Sequence, residues 1–226
     1  MGDKLDIVKV SDLVALQREL SSKIRLRKLR DVPRLVAGFD LSFPNKHTAL
    51  AVGVVLKYPE LEIVEMKWVT KEVDIPYIPG LLSFREGPSI EKVYSLLDND
   101  PDLLFFDGQG IAHPRGLGLA AHMALNLKKP SIGVAKSHLY GSYKMPGLVR
   151  GSFEYLYAED KKVGVVLRTK DNVKPLFVSP GNYVDLEDCV EYTLKTCKGY
   201  RLPEPTRIAD LYTKKLKKEV DLSEKR

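Results

Sequence analysis

The sequence predicts an α/β protein built on a mixed sheet of five strands, three antiparallel and then two parallel. Helices flank the sheet, and a further β element and more helices follow toward the C-terminus. Three observations carry that prediction. Three strand-like runs rich in β-branched and aromatic residues follow one another between residues 35 and 70, joined by short turns. The four apolar residues at 103–106 suit a strand buried on both faces. A helical stretch at 117–127 separates that strand from another at 131–137, and strand, helix, strand makes a parallel crossover.

In chain order, Leu13, Leu16, Leu20 and Ile24 lie at helical spacing, so a peripheral amphipathic helix is expected over 11–27 with Ser11 as its N-cap. The runs LVAGFDLSF (35–43), ALAVGVVLKY (49–58) and LEIVEMKWVT (61–70) make an antiparallel meander. In DIPYIPGLLSFREGP (74–88), prolines flank Tyr77 and stiffen a loop before a helix that continues through Val93, Leu96 and Leu97. Glu86 falls on that helix's first turn. Beyond the crossover, SFEYLYA, KVGVVLRT and PLFVS predict an added β element, and helices follow near 185–197 and 204–219. Pro205 suits the start of the last helix. A single domain spanning 1–226 is expected, its core at about 34–140 and an elaboration at about 150–220.

The stretch LLFFDGQGIAHPRGLG (103–118) organises the candidate site. Asp107 ends a core strand, glycines at 108, 110, 116 and 118 allow close backbone approach, and His113 and Arg115 put a titratable ring and a fixed cation beside the acid. Asp40 is a second acid in an otherwise apolar strand, costly unless paired, hydrogen-bonded or metal-bound. Parallel pairing puts Lys136, at the next strand's end, beside Asp107. Plainer readings stand beside these. Asp107 fits a helix cap, Tyr77 a core ring, Glu86 a macrodipole partner, and Asp210 an ion pair with Lys214 one turn on.

The formal net charge is +6. Residues 1–30 carry eight basic and four acidic groups and residues 195–226 ten and five, so the ends hold a net +9 and the middle −3. A basic periphery around an acidic centre suits a gripped polyanion, although Lys-rich ends also serve simply as solvated surface. Cys189 and Cys197, eight residues apart on one expected helix, are too far apart to bridge, and no Cys/His spacing suggests zinc. No apolar run has signal-peptide or membrane-spanning character, so a reduced, cytoplasmic protein without membrane contact is expected.

Three antiparallel strands followed by two helix-linked parallel ones, with acids on the first and fourth, is the layout of a ribonuclease H-like core. The motifs GFDLSFP, PYIPGLLSFREGP, FDGQGIAHPRGLG, GVAKSHLYG and LPEPTRIAD, in that order over about residues 35–213, resemble the endonuclease V family. That resemblance implies a DNA repair endonuclease cutting the second phosphodiester bond 3′ to deoxyinosine and leaving 3′-hydroxyl and 5′-phosphate ends. It implies Asp40, Glu86 and Asp107 as ligands for Mg²⁺, with Mn²⁺ as a substitute, and Tyr77 as a wedge. Lys136 and His113 would stand near the scissile phosphate. Leu82, Gly108, Gly110, Gly133 and Leu139 would shape the lesion pocket, and Asp210 occupies a place where an acid or histidine is expected. Oxygen-rich ligation independently favours Mg²⁺ or Mn²⁺ over zinc. The competing readings are a ribonuclease acting mainly on inosine-containing RNA, and a non-catalytic inosine-binding module, which should have lost an acid. A monomer is expected.

Overall fold

The computed structural model describes residues 9–223, so the charges at 1–8 and 224–226 lie outside the described residues. The meander forms as expected: β1 (Leu35–Asn45), β2 (Thr48–Lys57) and β3 (Glu62–Glu72) pair antiparallel. β4 (Leu103–Phe106) then pairs parallel with β1, and β5 (Ser131–Ala135) parallel with β4. These five strands give the ribonuclease H-like order β3-β2-β1-β4-β5.

The strand count is corrected upward. β6 (Phe153–Ala158), β7 (Lys161–Leu167) and β8 (Leu176–Asn182) do not form a separate element; β8 pairs antiparallel with β5 and extends one sheet to eight strands, ending β5-β8-β7-β6. Without pairing, β5 would leave open backbone groups at its free edge.

Alternate residues of each strand feed opposite faces of the sheet. Leu103 and Phe105 join Val36, Val52 and Ile132 beneath α4 (Leu186–Lys195) and α5 (Glu204–Ser223). Leu104 and Phe106 join Ala37, Phe39 and Ala51 beneath α2 (Leu82–Tyr94) and α3 (Leu119–Leu127). The four-residue apolar run thus supplies both cores, and Phe39 stacks on Phe106 with ring centroids 5.3 Å apart.

Helix ends depart from expectation where long-range bonds compete. α1 (Val10–Ser21) stops short of residue 27 because the following backbone is captured: Arg25 N–H donates to Asn182 Oδ1 at 2.7 Å, and Tyr183 N–H to Arg25 O at 2.8 Å. Lys9, not Ser11, takes its N-cap position, and Ser11 Oγ donates to Asp12 instead. α2 ends at Tyr94, before Leu96 and Leu97. Because it starts at Leu82, Glu86 sits past the first turn, where macrodipole stabilisation has faded. α4 ends before Cys197, and Cys189 and Cys197 are both buried free thiols.

Candidate active site

Parallel strands deliver their last residues to one edge of the sheet. Asp107 follows β4 and Lys136 follows β5, and their side chains form an ion pair there. Asp40 on β1 reaches the same edge because β1 pairs parallel with β4, Phe39 opposite Phe106, and a glycine two residues earlier lets a helix close over it. A Cβ on Gly38 would stand 2.1 Å from the backbone carbon of Pro205, so only glycine lets the start of α5 lie against β1. Two turns along that helix, the Thr213 hydroxyl donates to Asp40. Asp210, on the same helix, lies 4.0 Å from Lys136 and 2.6 Å from Lys214. The Lys214 pairing and the approach to the acidic centre therefore both hold.

The charges perturb one another. Burial raises the Asp40 carboxyl to about 6; the Thr213 bond and Lys136 oppose the rise, while Asp107 and Asp210 add to it. Burial, then the charges of Asp40 and Asp107, raise Glu86 to about 8 against Arg85. Burial disfavours the Lys136 cation, but the bond and charge of Asp107, with Asp210 and Asp40, leave its pKa raised. Asp40, Glu86 and Asp107 are thus within charge-charge reach, a clustered set of oxygen donors whose repulsion a divalent cation would relieve. Their chemistry fits such an ion. Among the described residues, no three or more His, Cys, Asp or Glu side chains are gathered at ion-holding distance; Lys136 holds Asp107 and Thr213 holds Asp40 instead.

Beside the acids lies a cavity of about 250 Å³. Gly108 and Leu139 line it, with Leu82 and Tyr77 from the proline-stiffened loop and helix opposite. Tyr77 projects, 67% exposed. Arg85 braces this loop by donating to Ile75 O at 2.6 Å while lying 4.4 Å from the Phe43 ring centroid.

Three expected placements are corrected. His113 is 5% exposed and lines the cavity, not the acid cluster. Burial, then Arg115, lowers it to about 4, and its Nδ1 accepts from Arg115 N–H at 3.2 Å, which places its proton on Nε2. Arg115 likewise turns from Asp107 and donates to Gln17 and, at 2.7 Å, to Gly80 O. Gly110 and Gly133 stand behind the wall: a Cβ on Gly110 would lie 2.0 Å from Pro180 O, and one on Gly133 2.4 Å from Gly110 N. They allow backbone to pack on backbone.

Several contributors escaped the sequence. Thr213 and Gln17 are ordinary polar residues on helices. Gln17, 1% exposed, donates to Leu117 O at 2.7 Å and to Gly80 O at 3.0 Å, tying α1 to both walls of the cavity. Arg201 donates to Lys136 O at 3.0 Å and fixes the backbone that carries the ammonium. A polar side chain within the buried stripe of α1 was the only available signal for Gln17.

Comparison with known proteins places the whole chain. The family model described as Endonuclease V matches residues 18–211. An Endonuclease V from Kosmotoga olearia is 50% identical over 212 residues, covering 93% of each chain. The crystal structure of Endonuclease V from Streptomyces avermitilis superposes with a TM-score of 0.89 at 39% identity, covering 94% of each chain. That of Ciona intestinalis Endonuclease V, in complex with a 24mer DNA containing an inosine followed by a ribo-adenosine, superposes with a TM-score of 0.82 at 26% identity, covering 93% of this chain and 98% of that one. With its fold and the extent of these matches taken together, the chain is an endonuclease and belongs to the endonuclease V family.

Proposed function

We propose that this endonuclease is a metal-dependent repair enzyme that recognises deoxyinosine, the product of adenine deamination, in DNA. It hydrolyses the second phosphodiester bond 3′ to the lesion and leaves 3′-hydroxyl and 5′-phosphate ends. The observation that carries this reading is the adjacency of two unlike sites, a cluster of mutually perturbed carboxylates with one lysine and a small cavity roofed by a projecting tyrosine. The inosine-containing DNA bound by the Ciona relative supports it.

Asp40, Glu86 and Asp107 would hold Mg²⁺ or, in its place, Mn²⁺. Such an ion supplies Lewis acidity and positive charge for the attack of water on phosphorus. Lys136 offsets the growing negative charge, and Thr213 and Arg201 hold Asp40 and Lys136 in place. A base must leave the stack to be read, at a cost of a few kcal/mol that is smaller for a poorly paired base such as inosine. Tyr77 fills the vacated space, and Leu82, Gly108 and Leu139 enclose the base. His113, neutral and buried, offers a fixed imidazole to the cavity.

The ribo-adenosine after the inosine in the Ciona complex favours a second reading, in which inosine-containing RNA is also cut. Matched inosine-containing DNA and RNA strands, incubated with Mg²⁺ and mapped for cut position, test both. The DNA reading predicts a nick directly on the 3′ side of the inosine's 3′ neighbour; cutting confined to RNA, or cutting without regard to inosine, would overturn it. The enzyme is proposed to act as a monomer, in the cytoplasm; no described helix is long and apolar enough to cross a membrane.

A further inference from the structure

The two basic ends of the sequence part company in the fold. Lys214 and Lys217 lie along α5 near the acid cluster, Lys217 donating to Phe43 O at 2.8 Å. The basic segment after α1 instead runs to the other edge of the sheet, where β1, β4 and β5 begin. There Arg27, Arg30, Arg34, Lys128 and Lys129 line a cavity of about 540 Å³ with only two carboxylates, Asp31 and Asp102. We propose that this cavity is a second ligand site, one that binds phosphate groups.

The wall is built rather than loose. Its backbone is pinned where Leu29 N–H donates to Asp188 at 2.7 Å, Arg34 N–H to Asp102 at 2.8 Å, and Tyr58 N–H to Arg34 O at 2.8 Å. Arg27 lies 4.9 Å from the Tyr183 ring centroid. Of the two lining acids Asp102 is engaged, accepting also from Leu35 N–H, while Asp31 stands against five cations; Asp100 nearby pairs with Lys129 at 2.6 Å. Arg27, Arg30, Arg34 and Lys128 are left without a carboxylate partner among the described residues. Lys128 occupies the left-handed region (φ 55°) at the end of α3, a conformation that glycine adopts at far lower cost. Concentrated unpaired cations are an anion site, and arginine forks match phosphate oxygens two at a time. The volume falls in the range of nucleotide-sized pockets.

The separation makes this a second site. Arg34 and Asp40 bracket β1's first half, and Asp102 and Asp107 bracket β4, so the two edges stand about 17–20 Å apart by strand rise. At that separation the phosphate cut at the acids is not the phosphate held here. Phosphate here comes from a free polyphosphate or from another nucleic-acid segment.

The test titrates inorganic tripolyphosphate by calorimetry, and a labelled undamaged duplex by anisotropy, into the full chain at fixed low salt. The double variant Arg30→Glu/Lys128→Glu should weaken tripolyphosphate binding by about tenfold or more, while the charge-matched control Lys92→Glu/Lys161→Glu changes it less than twofold. A parallel loss of duplex affinity identifies a nucleic-acid backbone as the ligand; unchanged duplex affinity identifies a free polyphosphate. Equal losses in both double variants, or no tripolyphosphate binding with no selective loss for the duplex, overturn the proposal. Lys128→Gly removes one cation and suits the local backbone, so its loss of binding cannot be ascribed to misfolding. None of these measurements needs cleavage, so they fail or succeed independently of the proposed function.

Discussion

The acid cluster and the neighbouring cavity are made from the same two loops and treat charge in opposite ways. Asp107 and Lys136 enter the cluster, while Gly108, one residue on, and Leu139, three on, line the cavity. In the cluster burial raises the pKa values of Asp40 and Glu86. In the cavity burial strips charge from a buried ring, lowering His113 to about 4. Under the proposed function bond cleavage belongs to one region and base reading to the other, so damage to each should be separable.

The largest effect should come from the acids. Asp40→Asn or Asp107→Asn removes a ligand charge at nearly constant volume, and nicking in Mg²⁺ should fall on the order of a thousandfold while inosine-duplex affinity stays within a few fold. Near wild-type nicking by either folded variant would erase the division. Gly110→Val should cost several kcal/mol and yield little folded protein, because its Cβ meets the Pro180 backbone rather than an incoming base. A stable Gly110→Val protein with a blocked cavity would instead return Gly110 to the wall.

Tyr77→Ala should weaken binding and nicking of inosine duplex by about tenfold, and less on single strands, where no partner strand must be opened. Equal losses on both substrates would make Tyr77 a packing residue.

The two regions also predict opposite pH responses in the metal-free protein. Asp40 and Glu86, raised to about 6 and about 8, bind protons more tightly folded than unfolded, so their destabilisation grows as pH rises from about 4 through 8. His113, lowered to about 4, binds its proton less tightly folded, so the stability it contributes is full above about 6.5 and lost as pH falls toward 4. In EDTA, Glu86→Gln should raise the melting temperature by several degrees at pH 8 and hardly at pH 5. A gain at both values would mean that its charge is not what costs stability. Smallest is Gln17→Leu, which should raise KM for inosine duplex about threefold at unchanged kcat, because it frees the loop hinge at Gly80 without touching the acids. A fall in kcat instead would couple α1 to cleavage.

The sequence revealed most where local pattern and tertiary placement agree. LLFF before Asp107, and a second apolar strand before Lys136, were enough to set both groups at one sheet edge, because parallel strands deliver their ends together. It revealed less where distant backbone decides. Nothing near Ser131 announces its pairing with Asn182, and apolar spacing through Ile24 hides the capture of Arg25 that ends α1. The motif glycines were visible, but only the packing of Pro180 behind Gly110 separates a wall residue from a support. Thr213 carries no signature, since a hydroxyl at helical spacing ordinarily faces water, and Gln17 carries only its place in the buried stripe of α1.

The contact between Gly38 and the start of α5 ties an early strand to the last described helix. Asp40 and the hydroxyl that steadies it are 173 residues apart in the chain. On a ribosome, strand β1 emerges long before α5 can dock on it, so the edge that carries Asp40 stays unfinished until α5 has been released. A nascent or prematurely terminated chain that stops before α5 therefore lacks the partner that orders Asp40.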